Sequence, residues 1–282
     1  MKNLLVPTDY SANAFNAYVY ALGIASKIGA DVTAVHTFEL PVIDPRAPSR
    51  TAQAIVENEK EEQVYLRNKE LPKMTQKAAE MGLKDQPKDL LVLEGEIVEQ
   101  ICHVAAKIGI DLLVMGTKGA SGLKEVFFGS NAAKMLEQAT CPILAVPENA
   151  VFNGINKVAY FTNFDDADVK TLEQLLTITQ PFSPDLYLVH IIEADDQHPG
   201  ALSNLKSLGE VLKTMTNQPI HLEVSKSDNL HTGMLQFAKE HHMDMIAMLS
   251  HKRGFFEKLF NPSSTQKTVQ HTDMPMLSFR KI

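Results

Sequence analysis

The sequence predicts two tandem α/β domains, each a mainly parallel five-stranded sheet flanked by helices, and three observations carry that expectation. The chain has 282 residues, long for one compact domain and comfortable for two. It is also an internal duplication. Asp111 to Leu144 lies over Asp244 to Leu277 at a constant offset of 133 without a gap, sharing seven identities that begin at Asp111/Asp244 and end at Leu144/Leu277. Leu4 to Tyr10 and Asp31 to Phe38 lie over Val158 to Phe164 and Asp185 to Ile192 at an offset of 154, so that His36 meets His190. Finally, each copy alternates short apolar runs with helix-forming stretches, the pattern of strand-helix-strand units with right-handed crossovers. Two such sheets are expected.

In chain order, Leu4-Leu5-Val6 is a continuous apolar run of the kind found in a buried parallel strand. Asp9-Tyr10-Ser11 supplies capping chemistry for a helix carrying Ala14, Ala17, Ala21 and Ala25. Val32 to Phe38 is the second strand. Thr51 to Met81, rich in Glu, Lys, Gln and Ala, reads as helix with an interruption near Pro72, and its Glu57 to Glu62 run as a solvated face. Strands at Leu90 to Leu93, Leu112 to Met115 and Ile143 to Val146 follow, with helices from about Val98 to Ile108 and from Asn131 between them. The first half carries about 21 more residues than the second (154 − 133), assigned to the region around Pro41 to Pro72. The polar segment Glu148 to Asn156 is the natural boundary, giving domains at 1–147 and 155–282.

Composition limits the functions available. Hydrophobic residues make up 44% and charged residues 22%, so each half can bury a core without disulfides or metals. A net charge of -7 gives no electrostatic reason to expect nucleic acid or an anionic membrane as partner. The opening apolar run is cut off by Pro7 and Asp9, no apolar run is long enough to span a bilayer, and the two cysteines, Cys102 and Cys141, read as small core hydrophobes. The expected location is the cytoplasm.

In a doubly wound fold, ligands collect outside the carboxyl ends of the strands. After Met115 the chain reads Gly116-Thr117-Lys118-Gly119-Ala120-Ser121-Gly122-Leu123-Lys124-Glu125-Val126-Phe127-Phe128-Gly129-Ser130-Asn131. Gly116 and Gly119 can turn sharply and bring bare backbone near a ligand. Gly129 leads into a helix whose first N–H groups, with the Ser130 hydroxyl, form an anion site. Glycines at these spacings can also simply end a strand and start a helix, Asp9 can serve only as an N-cap, and Lys118 and Lys124 can be ordinary loop lysines. The chain contains neither a Gly-x4-Gly-Lys-Ser/Thr loop nor a Gly-x-Gly-x2-Gly turn, which disfavours a P-loop NTPase and a dinucleotide-dependent dehydrogenase.

The pattern Gly-x2-Gly-x9-Gly-Ser, spelled by Gly116, Gly119, Gly129 and Ser130, resembles the nucleotide-binding signature of ATP-binding universal stress proteins. The opening Val6-Pro7-Thr8-Asp9, the strand ending His36-Thr37 and the closing Cys141-Pro142-Ile143-Leu144 are also similar to that family. The resemblance implies a Rossmann-like, adenine nucleotide alpha hydrolase-like fold that binds ATP or AMP, with magnesium carried on the phosphates as a further option. It places Pro7, Thr8 and Asp9 along ribose and adenine, the Thr37 backbone at the adenine edge and Gly116 beside the ribose. Gly119, Gly129, Ser130 and the Asn131 backbone would hold phosphates. It also implies that the two domains pair through their last strands, Ile143 to Val146 and Met276 to Phe279, and it leaves a homodimer open.

The second copy has lost the motif. Gly116, Gly119 and Gly129 become Leu249, Lys252 and Pro262, Asp9 becomes Asn163, and Ser130 survives as Ser263. Eight of the ten histidines lie in this half, yet no carboxylate spacing defines a metal site around them. Three functions are open to these residues: a nucleotide-dependent stress or regulatory module with an unidentified protein partner, a slow ATP hydrolase or phosphotransferase, and a nucleotide-free interaction scaffold. No catalytic base stands out beside the loop, since Glu125 reads equally as a helix-face carboxylate.

Overall fold

The computed structural model describes residues 1–118, 129–193, 200–250 and 273–281. In the first half these are β1 (Asn3–Pro7), α1 (Ala12–Ile28), β2 (Asp31–Phe38), α2 (Ser49–Glu80), β3 (Asp89–Glu94), α3 (Ile97–Ile108), β4 (Leu112–Gly116), α4 (Ser130–Gln138) and β5 (Ile143–Val146). The second half repeats the pattern with β6 (Lys157–Phe161), α5 (Asp168–Thr179), β7 (Asp185–Glu193), α6 (Ala201–Met215), β8 (Ile220–Ser227), α7 (Leu230–Glu240), β9 (Met245–Ser250) and β10 (Met276–Arg280).

The two expected five-stranded sheets are present, and they join into one. Strand order is β3-β2-β1-β4-β5-β10-β9-β6-β7-β8, parallel within each half and antiparallel at the β5–β10 seam. There Leu277 faces Leu144, with Met276 opposite Ala145 and Ser278 opposite Ile143. Both halves thereby cover the edge of their last strand, which would otherwise present unpaired backbone groups. The last-strand pairing implied by the resemblance is the pairing observed.

Alternate residues of each buried strand feed opposite faces. Leu4, Val6, Leu112 and Val114 pack under α1 and α2, while Leu5, Leu113 and Met115 pack under α3 and α4. The alanine stripe of α1 exists because Ala14, Ala17, Ala21 and Ala25 are all buried, letting the helix lie close on the sheet. α2 crosses Pro72 without the expected interruption. The proline removes the amide that would reach the Asn68 carbonyl, but helix-forming residues flank it and Met74 and Ala78 beyond it are buried. The surplus length of the first half lies largely here, since α2 has 32 residues and its counterpart α6 has 15.

The duplication is visible in backbone bonds as well as in sequence. The Asp111 carboxylate accepts from the amides of Lys2 and Asn3 at 2.6 and 3.0 Å, and the Asp244 carboxylate accepts from those of Asn156 and Lys157 at 2.7 and 2.9 Å. That pair of identities anchors the start of the first strand in each half. The segment between the halves is fastened to α1: Asn16 Nδ2 donates to the carbonyls of Pro147 and Ala150, and the Tyr20 hydroxyl donates to that of Val151. The Phe152 ring fills the space over Gly23, where a Cβ would come within 2.3 Å of it, and meets Tyr20 and Phe182 edge-on.

Candidate functional site

Strand order reverses between β1 and β4, so the crevice at their carboxyl ends is where this topology receives ligands. At the end of β1, the Thr8 amide donates to the Val35 carbonyl at 2.8 Å, and the Thr8 hydroxyl oxygen accepts from the amide of Tyr10 at 3.0 Å. His36 Nδ1 donates to the Thr8 carbonyl at 2.7 Å, which fixes the proton on that nitrogen, and the His36 ring packs on Tyr10 with centroids 4.4 Å apart. Tyr10 itself holds a φ of 61°, the left-handed conformation that lets the chain turn from strand into helix. Burial, reinforced by Glu70 and opposed by Arg67, pushes its hydroxyl up to about 12. Thr8 is thus committed to shaping the turn, and Pro7 closes β1 without an amide to spare.

Asp9 does not cap α1. Ser11 does, accepting from the Ala14 amide at 3.2 Å, while Asp9 Oδ1 accepts from the Ser11 amide at 3.0 Å and orients the cap. Asp9 is half-buried and lies just beyond the carboxyl end of β1, ahead of α1. Thr37 lies two residues beyond Val35, the last β2 residue paired with β1. Backbone groups of a strand alternate sides, so the amide and carbonyl of Thr37 face past the end of β1.

On the β4 side, Gly116 is the last strand residue, paired with Val146. It does not occupy the left-handed region, so the sharp turn expected of it is absent. The position requires glycine for lack of space, because a Cβ there would lie 2.9 Å from the Asn13 side chain. Two bonds pin the base of the glycine loop. The Gly129 amide donates to the Thr117 carbonyl at 2.8 Å, and Asn13 Nδ2 donates to the Lys118 carbonyl at 3.0 Å. The first bond carries the start of α4 back to the end of β4. Gly129 is its N-cap with an extended backbone and no side-chain bond, and Ser130 and Asn131 are exposed in a first turn containing no acidic residue. A helix start of this kind carries roughly half a positive charge and free amides, a ready anion site.

Pro7, Thr8 and Asp9 lie at the carboxyl end of β1, Thr37 near that of β2, Gly116 at that of β4, and Gly129, Ser130 and Asn131 at the start of α4. Gly119, Lys124 and Glu125 lie outside the described residues, as do Lys252, Pro262 and Ser263 of the second half. The shared packing and hydrogen-bonding role expected of His36 and His190 at equivalent strand ends is observed, whereas sequence reasoning missed Asn13 and the Tyr10 ring. The overlay of halves held a signal for Asn13, since Ala167 stands in its place where Leu249 replaces Gly116.

In the second half Leu249 stands where the first half has Gly116. Leu249 is 7% exposed and joins the same apolar cluster as Ala167 and Phe279. Asp168, 2% exposed, accepts from the hydroxyls of Tyr160 and Thr162 and from the Asp165 amide. Burial and the neighbouring Asp168 carboxylate raise the Tyr160 hydroxyl well above its ordinary value, so it remains a donor. Among the described residues no three His, Cys, Asp or Glu side chains converge as metal ligands, and no helix is long and apolar enough to cross a membrane. Burial pushes the Cys141 thiol up to about 11, which keeps it protonated at neutral pH.

The universal stress protein family model matches the chain twice, over residues 1–147 and 154–280. Universal stress protein MJ0531 of Methanocaldococcus jannaschii is 32% identical over 145 residues, 51% of this chain and 81% of that protein. Universal stress protein Slr1230 of Synechocystis is 22% identical over 294 aligned positions, spanning 99% of this chain and all of that one. The crystal structure of a universal stress protein from Archaeoglobus fulgidus overlays 99% of this chain and 98% of its own with a TM-score of 0.71 at 19% identity.

Proposed function

The chain belongs to the universal stress protein family, and from that premise we propose that its first half binds ATP or AMP and acts as a nucleotide-dependent regulatory module, while the second half is retained for structure and partner contacts. The observation that carries the proposal is the 2.8 Å bond from the Gly129 amide to the Thr117 carbonyl, which brings the start of α4 back to the end of β4, beside the switch point. In this reading the amides of Ser130 and Asn131 with the Ser130 hydroxyl take the phosphates, Gly119 contributes bare backbone, Asp9 accepts from the ribose hydroxyls, Pro7 and Thr8 line the sugar and base, and Thr37 reads the adenine edge. Magnesium would arrive on the phosphates rather than in a protein cage. A cytoplasmic location and a protein partner that reads the nucleotide state belong to the same proposal.

Slow ATP hydrolysis is a lesser reading, because the sequence encodes phosphate cradling more clearly than water activation. Mass spectrometry of small molecules released from gently purified protein tests the main reading. Co-purifying or added ATP or AMP at one equivalent supports it. A folded protein that neither carries nor takes up an adenine nucleotide would falsify it.

A further inference from the structure

Asn13 sits in the first turn of α1, is 5% exposed, and spends its amide in an uneven way. Nδ2 donates to the Lys118 carbonyl, at the point where the glycine loop leaves the end of β4. Oδ1 is buried and has no hydrogen-bond partner among the described residues. It lies against Gly116, 3.0 Å from where a Cβ at that position would be. A buried acceptor left unsatisfied costs folding stability, so for the fold alone an alanine would serve better here. The second half holds Ala167 at the equivalent position, together with Leu249 in place of Gly116. Asparagine with glycine, and alanine with leucine, are the two solutions that fit this corner. Only the first leaves the strand end open and ties the loop to α1.

We propose that Asn13 is a positioning residue of the nucleotide site, holding Lys118 at the end of β4 against α1 so that the adjoining α4 N-terminus is set toward the phosphates; this rests on the nucleotide-binding reading above. The role belongs to phosphate affinity rather than to folding or to base recognition. Three consequences distinguish it from a packing role. Loss of the side chain should weaken binding of ligands that carry phosphates, spare adenosine, and leave the ligand-free protein no less stable.

Calorimetric titration with ATP and with adenosine, and a thermal melt of the ligand-free full chain, test it on wild type, Asn13→Ala and Asn13→Ser. Serine is too short to reach the Lys118 carbonyl yet suits a first helical turn, and so covers the case in which alanine fails to fold. Removing one neutral anchoring bond should weaken ATP about fivefold to tenfold. Adenosine affinity should change less than about twofold, and the melting temperature should hold or rise. Wild-type ATP affinity in a folded variant overturns the proposal, and so does an equal loss for ATP and adenosine or a lower melting temperature with unchanged relative affinities. If wild type itself takes neither ligand, the nucleotide reading fails first and this proposal with it. A wild type that binds both beside variants that bind both equally well leaves the nucleotide reading standing and removes Asn13 alone.

Discussion

At the end of β1 and at the end of β6 the chain makes the same turn with different chemistry around it. Thr8 and Thr162 each accept from the amide two residues on, at 3.0 and 2.8 Å. Tyr10 and Phe164 both take positive φ, 61° and 57°, and each packs on a histidine whose Nδ1 reaches the threonine carbonyl, His36 at 2.7 Å and His190 at 2.9 Å. What differs lies on the ligand side of the turn. Asp9 becomes Asn163, Asn13 becomes Ala167, Gly116 becomes Leu249, and the buried Asp168 network occupies the region of Ala14. The threonine, the aromatic ring and the histidine are requirements of the strand-to-helix turn, since a half without the glycine motif keeps them. They are poor guides to binding. The residues that changed together, Asp9, Asn13 and Gly116, are the ones that the proposed function assigns to the nucleotide site.

The strongest way to break this contrast is to move the second half's side chain into the first. Gly116→Leu should abolish nucleotide binding, by roughly a hundredfold or more, and destabilise the fold by about 1–3 kcal/mol because Asn13 occupies the space. Adding Asn13→Ala should recover much of that stability and none of the affinity. Titration calorimetry and denaturant unfolding check both parts. Restored binding in the double variant would show that an open strand end is unnecessary.

The opposite manipulation empties the second half. Asp168→Ala removes the acceptor shared by Tyr160 and Thr162 and leaves buried hydroxyls without it, which should cost about 2–4 kcal/mol in urea unfolding. Nucleotide affinity should not move. A large affinity loss would mean that the degenerate half contributes to the site.

Asp9→Ala sharpens the difference at the turn itself. Affinity should fall about tenfold, as expected for a charged hydrogen bond worth 1.5–3 kcal/mol, with stability reduced by about 1 kcal/mol for the lost bond to the Ser11 amide. Asn163→Ala should change neither quantity appreciably. The smallest effect is expected from Ser11→Ala, which removes the actual N-cap of α1: about 1 kcal/mol of stability and little affinity. Equal affinity losses for Asp9→Ala and Ser11→Ala would assign Asp9 to the helix rather than to the ligand.

The overlay of halves exposed much of this in advance. Apolar runs at Leu4 to Val6 and Ile143 to Val146 mark buried strands because parallel strands are covered on both faces, and both are strands here. The β5–β10 seam came from resemblance, because edge pairing between distant strands leaves no periodic signal. Two local expectations failed for physical reasons. Pro72 is tolerated inside α2 because burial of Met74 and Ala78 outweighs one lost bond, and tertiary packing is invisible in propensity. Gly116 is glycine because of Asn13, more than 100 positions earlier in the chain, so only the fold reveals the reason. The capping chemistry expected of Asp9-Tyr10-Ser11 is observed, with Ser11 as the residue that caps α1.

In the proposed function the first half of this duplicated chain takes a nucleotide and the second half does not. Titration of the folded, nucleotide-stripped chain with ATP reads this directly as a stoichiometry. One equivalent bound per chain, lost in Gly116→Leu and unaffected by Asn163→Ala, is the predicted result. Two equivalents per chain, or one that survives Gly116→Leu, would contradict it.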